Sequence, residues 1–296
     1  MPSQRSDLNA DALIDAFADR LEASDIVFGH GTDNARDEAW RLVGGVLRGS
    51  RPTPRRVGEL EALLRRRIED RVPVPYLTGE AWFGDLRLRI PAGVMIPRSP
   101  IAEVLAKRIQ PWLEREPGRV LDLCCGSGCI GIAAAHVFRD AEVDLVDDDE
   151  RAVAAARDNV RSTAAAIASR IGVIASDLFE NLGGRRYDLV LCNPPYALSS
   201  QIDNAAPEYH HEPRHGLDGG TDGLAVWRRI VADLGAHMNP GGILVGEAGG
   251  LSREFDAAFP QLRALWVDLE RAEPQPGGGF GVFVSVMNEV GAGRVG

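Results

Sequence analysis

Long hydrophobic runs are missing from this 296-residue chain: none approaches the ~18–20 residues that a membrane-spanning helix needs. Its first 25 residues mix Asp, Arg and Ala with no continuous apolar core. No signal peptide is therefore expected, and a cytoplasmic protein without membrane contact is the natural expectation. Cysteine is scarce. Three of the four, Cys124, Cys125 and Cys129, fall within six residues of a glycine-rich turn, and Cys192 stands far along the chain. Such close neighbours make poor disulfide partners and lack the second ligand pair of a zinc site, so buried free thiols and no metal are expected. Positive charge is also short. With 33 Lys and Arg against 43 Asp and Glu, the net charge of −10 argues against a broad face that grips phosphates. There is no internal repeat, and none of the six histidines stands out as a general base. His210 and His211 read as surface or substrate-loop residues.

One stretch runs against the acidic balance. Eight arginines lie between Arg48 and Arg71, among them Arg55-Arg56 and Arg65-Arg66-Arg67. The ordinary reading is a solvated helix face with flanking turns. The alternative is a docking patch for an RNA-bearing or acidic partner.

What is present is a globular composition, 45% hydrophobic and 26% charged, at a length suited to one large domain and a small one. Apolar residues recur at helical spacing through Leu8, Leu13, Phe17 and Leu21, then Trp40, Val43 and Leu47, then Leu60, Leu64 and Ile68. This predicts a small helical domain over residues 1–71. Val72-Pro73-Val74-Pro75 reads as extended because of its prolines. Leu86, Leu88 and Ile90 alternate with Arg87 and Arg89, so residues 72–97 suit a β-hairpin linker. From there, residues 98–296 form the larger domain. After Pro117, strands are predicted at 119–123, 142–147, 171–176, 187–192, 242–247, 264–269 and 281–287. Helices are predicted at 131–138, 150–160 and 223–238. The alternation implies an α/β fold with a mostly parallel sheet covered on both faces. Ligands of such folds sit beyond the carboxyl ends of the strands.

The first of those loops reads Leu121-Asp122-Leu123-Cys124-Cys125-Gly126-Ser127-Gly128-Cys129-Ile130-Gly131. Its glycines satisfy a dinucleotide fingerprint, and Asp147 stands where a ribose-binding acid belongs. A tight turn needing glycine for steric reasons explains the same pattern. Asp122 separates the two cofactors that use it. A carboxylate there repels a pyrophosphate, whereas it favours the ammonium and sulfonium of S-adenosylmethionine. Asp147, ending its strand, can accept both ribose hydroxyls.

The fourth strand of the alternation ends in Asn193-Pro194-Pro195-Tyr196. The prolines lack N–H donors and hold the backbone extended, so their carbonyls can face outward as acceptors. Asn193 adds a side-chain carbonyl, and Tyr196 a flat face. Two converging acceptors match the two N–H donors of a planar NH2 group, which points to methylation of an amide or exocyclic amine.

With these residues in view, the chain resembles the HemK-type protein-(glutamine-N5) methyltransferases. The resemblance implies a class I (Rossmann-like) methyltransferase with a seven-stranded mostly parallel sheet, a small N-terminal helical domain that recognises substrate, and a β-hairpin linker. It implies that Cys124, Cys125, Gly126, Ser127 and Gly128 line the methionine part of S-adenosylmethionine and that Asp147 holds its ribose. By the same resemblance, Asp177 and Leu178 lie beside the adenine, Asn193, Pro194, Pro195 and Tyr196 bind the substrate amide, and Asn193 also borders the cofactor. Within the family, Tyr76-Leu77-Thr78-Gly79-Glu80-Ala81-Trp82-Phe83, Pro97-Arg98-Ser99-Pro100-Ile101-Ala102-Glu103 and Pro207-Glu208-Tyr209-His210-His211-Glu212-Pro213 are similar to the PrmB subfamily, which acts on ribosomal protein L three. The sister subfamily acts on peptide-chain release factors. Two features depart from the family: Leu178 where Trp is frequent, and a Gly- and Pro-rich insertion at residues 271–279. A nucleic-acid amino-methyltransferase, an NAD-dependent oxidoreductase and a binding module without activity remain as rivals.

Overall fold

The computed structural model describes residues 9–269 and 281–287; the 271–279 insertion and Leu8 lie outside them. Three helices open the fold: α1 (Ala10–Glu22), α2 (Ala35–Leu47) and α3 (Pro54–Glu69). Each start is set locally. The Asn34 side chain accepts the Asp37 N–H at 2.8 Å, and Thr53 accepts that of Arg56 at 3.3 Å with Pro54 in the first turn. Phe17, Leu21, Leu42, Leu60 and Leu64 fill the core between them. Trp40, expected on the apolar face of α2, is 51% exposed instead. The buried stripe of α2 passes through Ala39, Leu42 and Val43, and the Arg41 guanidinium lies over both Trp40 and Trp82.

Two expectations for the first hundred residues need correction. Residues 72–75 are not extended throughout: Val74–Thr78 form a short helix, α4, with Pro75 in its first turn, where a missing N–H costs nothing. Nor do the arginines form one solvated face. Arg65 and Arg66 are exposed, but Arg67 is 1% exposed and ion-paired with Glu38 and Glu208. Many of the other arginines in this stretch are also engaged: Arg48 pairs with Glu80, Arg56 donates to the Leu47 carbonyl, and Arg71 meets Asp25 and Glu208.

A hairpin follows, β1 (Glu80–Phe83) against β2 (Leu86–Arg89), antiparallel. Then come α5 (Ile101–Ala106) and the sheet: β3 (Arg119–Leu123), β4 (Glu142–Asp147), β5 (Ile171–Ala175), β6 (Tyr187–Cys192), β7 (Met238–Glu247), β8 (Leu265–Trp266) and β9 (Val282–Val286). The seven strands lie in the order β5-β4-β3-β6-β7-β9-β8; β3 to β7 are mutually parallel, and β9 runs antiparallel to both its neighbours. The strand expected at 264–269 is only the two residues of β8. Covering helices are α6 (Cys129–Val137), α7 (Glu150–Ser162), the short α8 (Ala165–Ala168) and α9 (Ser199–Asp203), α10 (Ala225–His237) and α11 (Ser252–Ala258). Alternate strand residues enter opposite layers. Val120, Leu189 and Leu191 pack with Ile130 and Ala134, while Leu121, Val190 and Leu244 pack with Trp227, Phe255 and Phe283. No helix among the described residues is long and apolar enough to cross a membrane.

The chain runs outward from β3 to β5, then returns to place β6 on the other side of β3. That reversal opens a crevice at the carboxyl ends of β3 and β6. Register pairs Leu123 with Cys192, so Cys124 and Asn193 emerge side by side.

Candidate active site

A cavity of about 650 Å³ fills this crevice. The structure brings eleven of the thirteen residues expected at the site onto its wall. They are Cys124, Cys125, Gly126 and Ser127 after β3, Asp147 at the end of β4, Asp177 and Leu178 after β5, and Asn193, Pro194, Pro195 and Tyr196 after β6. Asp122 and Gly128 are not on the wall. Gly128 takes φ +79°, and a Cβ there would stand 2.9 Å from Leu145, so its glycine serves the turn and the packing beneath it.

Asp122 is fully buried under the loop. Its Oδ2 accepts the Gly131 N–H at 2.7 Å, while Oδ1 has no hydrogen-bond partner. Burial pushes its carboxyl up to about 8 against the pull of that N–H, with the Asp147 charge adding to the rise. The expected contact between its charge and a cofactor's ammonium is therefore absent from this geometry. Asp122 instead fixes the loop from behind. A carboxyl raised in the folded state gives stability that is complete below pH ~4 and declines as pH rises toward 8, each unit carrying about 1.4 kcal/mol. Asp122→Asn should accordingly gain on the wild type in urea unfolding between pH 5 and pH 8 and stay level above. A constant difference across that range would contradict the assignment.

Asp147 is differently placed. Its Oδ2 accepts the Gly126 N–H at 2.8 Å and its Oδ1 that of Asp149 at 3.0 Å, so each oxygen keeps lone pairs toward the cavity. Gly126, at φ +54°, has nothing closer to its Cβ position than Met95 at 4.0 Å, which leaves room for a ligand against the main chain. Cys124 and Leu178 also take positive φ, +61° and +48°, as residues held in tight turns at strand ends do. Asp177 sits at the rim, paired with Arg229 at 2.7 Å. The four thiols are free, as expected. An S–H bond with Cys192 and burial raise Cys124, and burial raises Cys125 and Cys129, so none of these three offers a thiolate.

On the opposite wall, Asn193 stands at the tip of β6 with its side-chain amide unengaged among the described residues, facing the cavity. The Tyr196 hydroxyl is not free: it donates to Glu247 Oε1 at 2.6 Å. Glu247 and Ser99 were not singled out from the sequence, although an acid ending a central strand at the ligand side was a usable signal. The 207–213 segment was noted only for its likeness to relatives. Its exposed His210 and His211 fit the surface reading, but its inward residues do more. Glu212 Oε2 accepts the Ile96 N–H at 3.0 Å and Arg98 at 2.9 Å, and Glu212 Oε1 lies 3.2 Å from the buried His30. Burial alone would raise Glu212; Arg98 and His30 hold it down to about 2. Glu208 accepts the Val27 N–H at 2.9 Å and meets Arg67 and Arg71. Val27 itself lines the cavity, so the helical segment supplies part of the wall. Asn159 of α7 joins the hairpin to the glycine loop, bonding both Arg89 main-chain atoms and the Ser127 carbonyl.

The parallel sheet, its reversal at β3 and β6, and the paired loops at that point define a Rossmann-like methyltransferase. Residues 101–232 match the family model described as "Methyltransferase small domain". The hMettl16 catalytic domain, solved in complex with MAT2A 3'UTR hairpin 6, shares this fold with a TM-score of 0.52 at 13% identity, over 82% of this chain and 85% of that one. Closer similarity is found to proteins named ribosomal protein uL3 glutamine methyltransferase. Those of Xanthomonas campestris pv. campestris and Bordetella pertussis are each 38% identical, covering 87% and 89% of this chain and 86% and 92% of theirs. That of Xylella fastidiosa strain 9a5c is 38% identical over 94% of this chain and 90% of its own. The chain belongs to the family of the ribosomal protein uL3 glutamine methyltransferases.

Proposed function

We propose that this chain transfers a methyl group from S-adenosylmethionine to the side-chain amide nitrogen, N5, of a glutamine in large-subunit ribosomal protein uL3. The observation that carries the reading is the unengaged amide of Asn193, facing a cavity whose other wall is the glycine loop with Asp147. The residues suit the cofactor: open space at Gly126, lone pairs of Asp147 for ribose hydroxyls, and the apolar side chain of Leu178 for an adenine. When bound, S-adenosylmethionine supplies a methyl group already activated by a positive sulfur. The acceptor is the harder partner, because an amide lone pair is delocalised into its carbonyl. The Asn193 side-chain oxygen and a Pro194 carbonyl can take the two N–H bonds in a fixed fork, favouring a pyramidal nitrogen with its lone pair toward the glycine loop. The proton can leave after transfer, so no strong base is needed.

The substrate rests on the names of the relatives, each 38% identical over most of the chain. A ribosomal acceptor accords with action in the cytoplasm. The test is to incubate the protein with labelled S-adenosylmethionine and a lysate of cells lacking the gene, then locate the label by mass spectrometry. Label on a uL3 glutamine is expected. Label confined to release factors would move the substrate to the sister subfamily, and label on nucleic acid would overturn the reading.

A further inference from the structure

Pairing of Cys192 with Gly246 brings the end of β7 level with the end of β6, so Glu247 emerges beside Asn193. Its backbone is fixed by the Trp227 indole N–H, which donates to the Glu247 carbonyl at 3.2 Å. The side chain is 4% exposed and doubly engaged. Oε1 accepts the Tyr196 hydroxyl at 2.6 Å, and Oε2 accepts the Ser99 hydroxyl at 2.5 Å. Ser99 is itself held, its Oγ accepting the Ile101 N–H at 3.2 Å at the start of α5. Burial pushes the Glu247 carboxyl up while the Ser99 and Tyr196 hydroxyls pull it down, and hydrogen bonds this short are directional.

A second observation concerns the back of Tyr196. A Cβ on Gly219 would stand 2.7 Å from the Tyr196 Cα, and one on Gly223 2.5 Å from its carbonyl oxygen. Main chain packs directly behind this residue, which leaves rotation of its side chain as the main remaining freedom. The hydroxyl bond to Glu247 restrains the swing of the ring about Cα–Cβ.

We propose that Glu247 is a positioning residue: with Ser99 it clamps the Tyr196 ring through its hydroxyl, presetting the aromatic wall of the amide slot before substrate enters. This rests on the reading of Asn193 to Tyr196 given above. The clamp explains why an acid lies buried in a site whose chemistry needs no base. It also explains a tyrosine, rather than a phenylalanine, where only a flat face meets the substrate.

Two arms test it on the full chain. In steady-state methylation of purified uL3, Glu247→Ala should lower kcat by about a hundredfold through misplacement of the ring. Its affinity for S-adenosylhomocysteine should hold, and Glu247→Gln, which keeps an acceptor, should fall between. Tyr196→Phe should lose as much as Glu247→Ala, and the two combined should lose no more than either alone. Losses that multiply in the double variant would overturn the clamp. The second arm needs no acceptor. With 3-fluorotyrosine at the four tyrosines, the Tyr196 fluorine signal, identified by its disappearance in Tyr196→Phe, should move and narrow in Glu247→Ala as the ring gains freedom. An unmoved signal would overturn the clamp even if wild-type protein failed to methylate uL3, a failure that would count against the substrate assignment alone.

Discussion

Asn193→Ala is expected to lower kcat/KM for methyl transfer by about 2–4 kcal/mol, the effect of losing one oriented polar group at a reacting centre. The affinity for S-adenosylhomocysteine should change far less. The reason is geometric. Asn193 is the first residue past β6, and its amide is left unengaged while its neighbours are bonded or packed. Pro194 and Pro195 keep the following backbone from folding back to satisfy it. In the proposed mechanism this acceptor takes a substrate N–H, whereas the glycine loop and Asp147 hold the cofactor. Steady-state rates beside calorimetric titration of the cofactor product would separate the two. A variant that lost cofactor affinity in proportion to rate would assign Asn193 to the wrong wall.

The second large effect concerns stability. Arg67→Ala should destabilise the protein by about 3–5 kcal/mol, because it strips the counter-charge from buried carboxylates. Arg67 is 1% exposed; it pairs with Glu38 and Glu208, which are 3% and 0% exposed, and donates to the Val27 carbonyl at 2.8 Å. Arg71 remains near Glu208 at 3.3 Å, but among the described residues Glu38 would keep only the side-chain contact with Thr32. Arg65→Ala and Arg66→Ala, two and one residues earlier on the exposed face, should each fall within about 0.5 kcal/mol of wild type. Urea unfolding followed by far-ultraviolet ellipticity compares the three. Similar midpoints for all of them would show that the buried ion pairs add nothing net.

These two residues differ in how far the sequence could place them. The position of Asn193 on the cavity was legible because local signals converge: an apolar strand, an abrupt polar-proline ending, and a glycine loop at the matching place three strands earlier. The sheet was legible for the same reason, since strand and helix periods are set within a few residues. Arg67 was hidden among arginines that differ only in orientation. Its position does extend the stripe of Leu60 and Leu64, as Glu38 extends that of Ala35 and Leu42, and that phase was the available clue. The partner Glu208 lies 141 residues away, and nothing local marks it. The pairing of Glu247 with Ser99 spans 148 residues, so only the place of Glu247 at a strand end, and not its partner, could be read locally. Asp122 is a different case. Its strand position was right, but side-chain alternation turns it beneath the loop toward Gly131 rather than out to a ligand.

Val27 has a consequence for anyone wishing to redirect this enzyme to another protein. It borders the cavity from the helical segment, yet it is held by Glu208 from a loop inserted between β6 and β7. Replacing residues 9–71 with those of a relative would take Arg67 and Arg71 from Glu208 and His30 from Glu212, whose bonds to Arg98 and the Ile96 N–H would remain. A chimera that exchanges the helices should therefore exchange Glu208 and its loop with them.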